Sequence, residues 1–229
     1  SPVWDTCLIL NSLLEHLEPD HPRLQHAAEW LLSKEVTEPG DWQVKCPEAP
    51  IGGWYFEYAN EFYPDCDDTA EVLAALQRVR FSDADREAQK HAAIERGLGW
   101  LLAMQNGDGG WAAFDRECTR EALTYVPFAD HNAMIDPSNG DITGRVLKAL
   151  DYSGRSPQDP VVQGGVHFLL ANQEPDGTWY GRWGCNHLYG SWLAIWGLKH
   201  AGVDSQQSQF MRLLSWLESC QNPDGGWGE

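Results

Sequence analysis

Apolar positions along this chain recur every three to four residues and almost nowhere every two. Val72, Leu73, Leu76 and Val79 fall on one face of a helix, as do Ile142, Val146, Leu147 and Leu150. The pattern predicts helices at about 3–16, 23–34, 68–79, 89–104, 142–153, 158–172, 188–201 and 206–220. No stretch alternates convincingly with period two, so strands should be few. The fold class expected is therefore all-α.

Every second helix ends alike. Trp100-Leu101-Leu102 leads to Gln105 and Gly109-Gly110-Trp111, Phe168-Leu169-Leu170 to Gln173 and Gly177-Thr178-Trp179, and Trp216-Leu217 to Gln221 and Gly225-Gly226-Trp227. Trp30-Leu31-Leu32 with Glu35 and Asp41-Trp42 reads as a degenerate first copy, carrying one extra residue before its Trp. A recurrence of this length marks one supersecondary unit used repeatedly. The residue types suit a structural staple: an exposed indole over the start of a neighbouring helix, with the Gln amide on nearby backbone.

The intervening helices begin at Trp4-Asp5-Thr6, Asp67-Asp68-Thr69, Asp141-Ile142-Thr143 and, more loosely, Tyr189-Gly190-Ser191. An acid at the first turn is favoured by free N–H groups and the helix dipole. Pairing each such helix with one that ends in the Gln/Trp turn gives about four hairpins, which side by side form a curved double layer. That layer is an incomplete arc of an α/α barrel. Loops 35–66 and 105–141 are longer than connectors need to be, which points to function.

Composition narrows the choice. The formal charge of −18 argues against nucleic acid, which needs clustered Lys and Arg. Six cysteines at irregular spacing, with no C-x-x-C pair, read as reduced core residues and not as a disulfide or zinc framework. No apolar run of about twenty residues is present to span a bilayer. The chain opens on Ser1-Pro2-Val3 and stops at Glu229, just past a repeat boundary, so a fragment of a longer protein is expected.

The sharpest local signal is Tyr63-Pro64-Asp65-Cys66-Asp67-Asp68-Thr69-Ala70, placed after the aromatic stretch Gly52-Gly53-Trp54-Tyr55-Phe56-Glu57-Tyr58. Carboxylates packed this closely repel one another, so at least one should hold its proton unusually well. Taken alone, the cluster reads first as a helix cap. A metal site would need His, Cys or further oxygens that the sequence does not place nearby.

Joined to several Gln/Trp turns, the D-x-D-D motif closely resembles the squalene–hopene cyclases, bacterial class II triterpene cyclases. The resemblance extends through Ser1 to Thr6, Pro39-Gly40-Asp41-Trp42, Tyr63 to Ala70, Pro127-Phe128-Ala129-Asp130, and Gly181 to Asn186 with Leu188-Tyr189-Gly190. It implies that residues 1–229 are part of the catalytic α/α-barrel domain of an isomerase that cyclises squalene to hopene or hopanol, without a cofactor or metal. It further implies Asp67 as proton donor, with Asp65 and Asp68 supporting it. Arg145 stands where the family commonly carries a His, and a permanently charged Arg pairs with a carboxylate but does not relay a proton. An ordinary surface position is the other reading of Arg145.

By the same resemblance Phe56, Trp183 and Tyr189 present aromatic faces to carbocations, which a carboxylate would capture. Trp4 and Phe114 also line the cavity, Phe114 standing where relatives often carry Tyr. Phe128 and Ala129 fall at the substrate-entry constriction. The family resemblance implies squalene and membrane lipid as partners, attachment to the cytoplasmic side of the cell membrane, and a homodimer of the full-length protein. Other D-x-D-D cyclases, acting on diterpenes, and a non-catalytic helical repeat module are the alternatives. A prenyltransferase would need a zinc site of Asp, Cys and His, which does not stand out.

Overall fold

The computed structural model describes residues 1–57, 60–126 and 133–228. Its helices are α1 (Pro2–Leu13), α2 (Pro22–Leu32), α3 (Cys66–Leu76), α4 (Ala84–Ala103), α5 (Gly140–Tyr152), α6 (Pro160–Ala171), α7 (His187–His200) and α8 (Ser208–Cys220). Short 3-10 turns lie at Asp41–Val44 and Glu121–Tyr125. Among the described residues, extended pairing is confined to two isolated antiparallel bridges, Trp54 with Asp65 and Cys118 with Asp136. The eight expected helices all form.

Their starts follow from local chemistry. Proline occupies the first turn of α1, α2 and α6, where its missing N–H costs nothing. Asp159 caps α6 by accepting the Val161 N–H at 2.8 Å. Asp83 caps α4 by accepting the Arg86 N–H at 2.8 Å. That cap sets the start of α4 earlier than its apolar pattern suggests, because the first turn is polar and carries no hydrophobic signal.

The chain divides into two compact units. The first comprises residues 1–105, 113–116 and 152–154. Within it α1 packs on α2 and α3, and α3 on α4. Leu10, Leu24, Leu31, Leu73, Leu76, Trp100 and Leu101 are fully buried there. The second unit comprises residues 106–112, 117–151 and 155–229. Its core holds Ile142, Val146, Leu147, Leu150, Leu169, Leu193 and Leu198.

The recurring turn has a fixed hydrogen-bond plan. The amide after the Gln position donates to the carbonyl just before the Trp: Asn106 to Gly110 at 2.9 Å, Glu174 to Thr178 at 2.8 Å and Asn222 to Gly226 at 2.9 Å. The indole N–H returns to the preceding helix, Trp179 to the Leu169 carbonyl at 2.7 Å and Trp227 to Leu217 at 2.8 Å. The Trp backbone N–H donates to a hydroxyl in the next helix, Trp111 to Thr143 at 3.0 Å and Trp179 to Ser191 at 2.9 Å. Gln173 and Gln221 donate to turn carbonyls, each at 2.8 Å, in the staple role expected of them.

This plan corrects the reading of the first copy. Val36 donates to the Gly53 carbonyl at 2.9 Å, the Trp54 indole donates to Leu31 at 2.7 Å, and the Trp54 amide donates to Thr69 at 2.8 Å. The turn tryptophan is thus Trp54 and not Trp42, with a long insertion separating it from Glu35. Trp42 lies in that insertion and meets Trp100 edge-on, with centroids 6.1 Å apart. Glu35, in the Gln position, holds Arg96 of α4 by two 2.7 Å bonds, as Gln173 holds Arg212 of α8.

The expectation of exposed turn tryptophans is also corrected. Trp54, Trp111 and Trp179 are buried, and only Trp227 is half exposed, at 48%. It edges an apolar groove of about 570 Å³ lined by Trp192, Ile195, Met211, Leu214 and Leu217. Burial is possible because the next second-of-pair helix offers a glycine to the ring. A Cβ at Gly97 would lie 2.8 Å from the Trp54 ring, and one at Gly165 would lie 3.1 Å from the Trp111 ring. Of the cysteines, Cys7, Cys46 and Cys66 are buried as expected, but Cys185 and Cys220 are exposed; all six are free thiols.

Thr143→Val leaves the Trp111 N–H buried without an acceptor. The expected cost is about 1–3 kcal/mol, read as a lower denaturant midpoint at unchanged slope, while Thr143→Ser recovers most of it. Equal midpoints for the Val and Ser variants would remove the hydroxyl from this role.

Candidate active site

In the first unit the D-x-D-D segment is pinned on two sides. The Asp65 N–H donates to the Trp54 carbonyl at 2.9 Å, and the Cys66 N–H donates to the Ala113 carbonyl at 2.7 Å. These bonds bring Trp54 and Ala113, distant in sequence, to the start of α3; Phe114 is next in the chain to one, and the Phe56 N–H, two residues beyond the other, also reaches Asp65. Phe114 stacks on Tyr63 with centroids 5.5 Å apart. The Phe56 carbonyl accepts from the Ser1 hydroxyl, three residues before Trp4. The carboxylates, Phe56, Phe114 and Trp4 therefore belong to one neighbourhood.

The three carboxyl groups differ in surroundings. Asp65 and Asp68 are buried at 2% and 1% exposure, whereas Asp67 is partly open. Asp65 is the N-cap of α3 and accepts the Asp68 N–H at 2.7 Å. Burial pushes its carboxyl well above the usual range, and the neighbouring Asp68 and Asp67 charges push the same way. The N–H groups of Asp68 and Phe56 pull against that shift without overcoming it. At least one acid of the cluster thus holds its proton more tightly than an ordinary carboxyl, through burial first and mutual repulsion second.

The second unit assembles another group at the starts of α5 and α7. Asn139 accepts the Ile142 N–H at 3.0 Å, the position Asp65 holds on α3. Asp141 accepts the Trp183 N–H at 3.0 Å while itself 1% exposed. Burial raises its carboxyl, and the Trp183 N–H bond is the main opposing cause. Arg145 is 4% exposed, which removes the surface reading; its guanidinium donates to the Tyr189 hydroxyl at 2.7 Å. Arg182 donates to the Ile135 carbonyl at 2.8 Å and lies 5.6 Å from the Trp183 ring. Phe128 and Ala129 lie outside the described residues.

Aligning the turn-bound hydroxyls Thr69, Thr143 and Ser191 places Asp67, Asp141 and Tyr189 in one repeat slot, two residues earlier. The site residues missed from the sequence are Asp141, Arg182 and Tyr63. The common spacing to the Thr was the available signal for Asp141; Tyr63 and Arg182 lie in segments the sequence singles out, but nothing in their spacing gives them a role. Trp4, Phe114, Trp183 and Tyr189 are partly exposed and Phe56 is 49% exposed, in contrast to the buried turn tryptophans. Among the described residues, no three His, Cys, Asp or Glu side chains converge to hold a metal ion.

Asp65→Asn keeps the cap acceptor and removes a buried acid. Because the native pKa is raised, Asp65 costs stability as pH rises from the ordinary value of 3.8 through its native value. The variant should therefore melt higher than the parent at neutral pH, with the difference closing below about pH 4. A pH-independent difference in melting temperature would contradict the assigned burial cost.

A family model described as the squalene-hopene cyclase C-terminal domain matches residues 1–229. A squalene–hopene cyclase of Bradyrhizobium diazoefficiens is 42% identical over 232 residues, covering 100% of this chain and 35% of that protein. One from Alicyclobacillus acidocaldarius is 42% identical over 203 residues, covering 88% of this chain and 32% of its own length. The chain thus spans about a third of the length of these curated relatives. In structure it is similar to the type II terpene cyclase MstE from Scytonema, with a TM-score of 0.59 at 19% identity, covering 99% of this chain and 57% of that one. That likeness shows the fold, the α/α architecture of type II terpene cyclases. With the family model matched from end to end, the chain belongs to the squalene–hopene cyclase family, within its C-terminal domain.

Proposed function

We propose that this chain carries the initiating acid and part of the aromatic lining of an enzyme that cyclises squalene to a pentacyclic hopanoid. The observation that carries the proposal is the inequality of the three aspartates. Asp65 and Asp68 are buried in the start of α3, and Asp67 is the member left partly open, in a neighbourhood that also holds Phe56, Phe114 and Trp4. Membership in the family supports the same reading.

The chemistry needs a strong acid in a site poor in water. The Asp67 O–H bond breaks, the π electrons of a terminal alkene form the new C–H bond, and a tertiary carbocation remains beside the carboxylate. The Asp67 carboxylate left behind gains from the free N–H groups and dipole at the start of α3. Each further C=C attacks the cation and moves the charge along the chain. Aromatic faces at Phe56, Trp183 and Tyr189 stabilise it without bonding to it. Loss of a proton from the last cation gives hopene, while capture of water with loss of a proton gives hopanol.

Arg145 is proposed to act through its fixed charge, held in place by Tyr189. A guanidinium does not relay protons, so Asp67 regains its proton from water. Squalene is a hydrocarbon and is expected to arrive from lipid, so attachment to one membrane leaflet is part of the proposal. No described helix is long and apolar enough to cross a membrane, so that attachment would rest on apolar docking.

In a full-length cyclase carrying this chain, Asp67→Asn should lower product formation from squalene by at least about 10⁴-fold, with circular dichroism unchanged. Product formation near the parental level would end the donor assignment. Arg145→Lys should retain folding but lower turnover, because a point charge does not reproduce the planar donor set that grips the Tyr189 hydroxyl. Unchanged turnover would show that charge alone suffices there.

A further inference from the structure

We infer that Asp141 and Arg182 are positioning residues for Trp183, one clamping its backbone and the other its ring. The inference rests on the cyclase reading, in which Trp183 faces a carbocation. Trp183 lies in the irregular segment between the third turn and α7, with no helix or strand to orient it. An aromatic face stabilises a cation only when held square to it and close, so a loop-borne indole needs external restraint.

Two restraints are present. The Asp141 carboxylate, at the start of α5, accepts the Trp183 N–H at 3.0 Å. The Arg182 guanidinium stands 5.6 Å from the indole centroid and is itself tied to the Ile135 carbonyl at 2.8 Å. One clamp fixes where the residue begins, and the other leans on its ring. Neither residue was needed to explain the acid cluster.

Asp141 occupies the repeat slot of Asp67, so a second proton donor is the obvious alternative. Its surroundings argue against that. Asp141 is 1% exposed and one oxygen is committed to an amide donor, whereas Asp67 is partly open. A buried carboxylate is costly, and a neutral acceptor would satisfy an ordinary loop amide. What the bond requires of Asp141 is an acceptor oxygen fixed at the buried start of α5, which an amide at the same position would also provide.

The test uses a full-length cyclase carrying this chain, with squalene as substrate and the ratio of partly cyclised to pentacyclic products as readout. Asp141→Ala and Arg182→Met should each raise that ratio about tenfold or more, with KM within about twofold. A misplaced indole lets intermediate cations lose a proton or take up water before the later rings close. Asp141→Asn keeps an acceptor for the Trp183 N–H and should recover the pentacyclic pattern that Asp141→Ala loses. If Asn is as defective as Ala, Asp141 acts through its charge or proton and the inference falls. It falls equally if turnover drops in Asp141→Ala and Arg182→Met with no change in product ratio. Should Asp141→Ala not fold, the Asn and Arg182→Met variants decide in the same way: both at the parental ratio, or Asn as diverted as Arg182→Met, would overturn the inference. A parental enzyme that yields no cyclised product at all overturns the cyclase reading instead, a separate outcome.

Discussion

The hydrogen bond from a turn tryptophan's backbone N–H to a hydroxyl in the next helix, made three times, is the constraint from which the rest follows. Trp54 finds Thr69, Trp111 finds Thr143 and Trp179 finds Ser191, all at 2.8–3.0 Å and all buried or nearly so. Within a buried junction an unmet N–H is expensive, so the hydroxyl fixes the helix both along its axis and about it. Helix starts are therefore set by the preceding turn and not only by their own caps. The acid cluster inherits its placement from this junction, because Thr69 is its last polar member.

That placement has an energetic cost. A helix start offers N–H groups that hold carboxylates in a defined orientation, and burial then raises the pKa of one of them. In α3 both effects act on Asp65, whose raised pKa comes first from burial and then from Asp68. A cluster optimised for stability would replace such an acid with an amide, as the corresponding position of α5 does with Asn139. Keeping an acid there costs stability, and strongly shifted carboxyls of this kind cluster at functional sites.

Much of this was legible in the sequence. The helical pattern located all eight helices because each carries apolar residues three to four positions apart, and the Gln/Trp spacing identified the turns because it recurs unbroken three times. The first turn was misread because its insertion happened to contain another Trp near the expected spacing; only the hydrogen bonds distinguish Trp54 from Trp42. Burial of the turn indoles was hidden because it depends on Gly97 and Gly165, each far along the chain from the ring it receives. The roles of Asp141 and Arg182 were hidden for another reason: spacing to the Thr marks the slot of Asp141, but the partners, the Trp183 amide and the Ile135 carbonyl, are backbone atoms with no side-chain signature.

The shared slot two residues before each hydroxyl has an evolutionary consequence. An aspartate on α3, an aspartate with a different partner on α5 and a phenol on α7 all occupy it, while the neighbouring Thr or Ser secures the join. The residue that secures the join and the residue free to vary are thus adjacent but separate letters of each repeat. A duplicated repeat can exchange its slot residue and acquire new chemistry without first having to solve its assembly again.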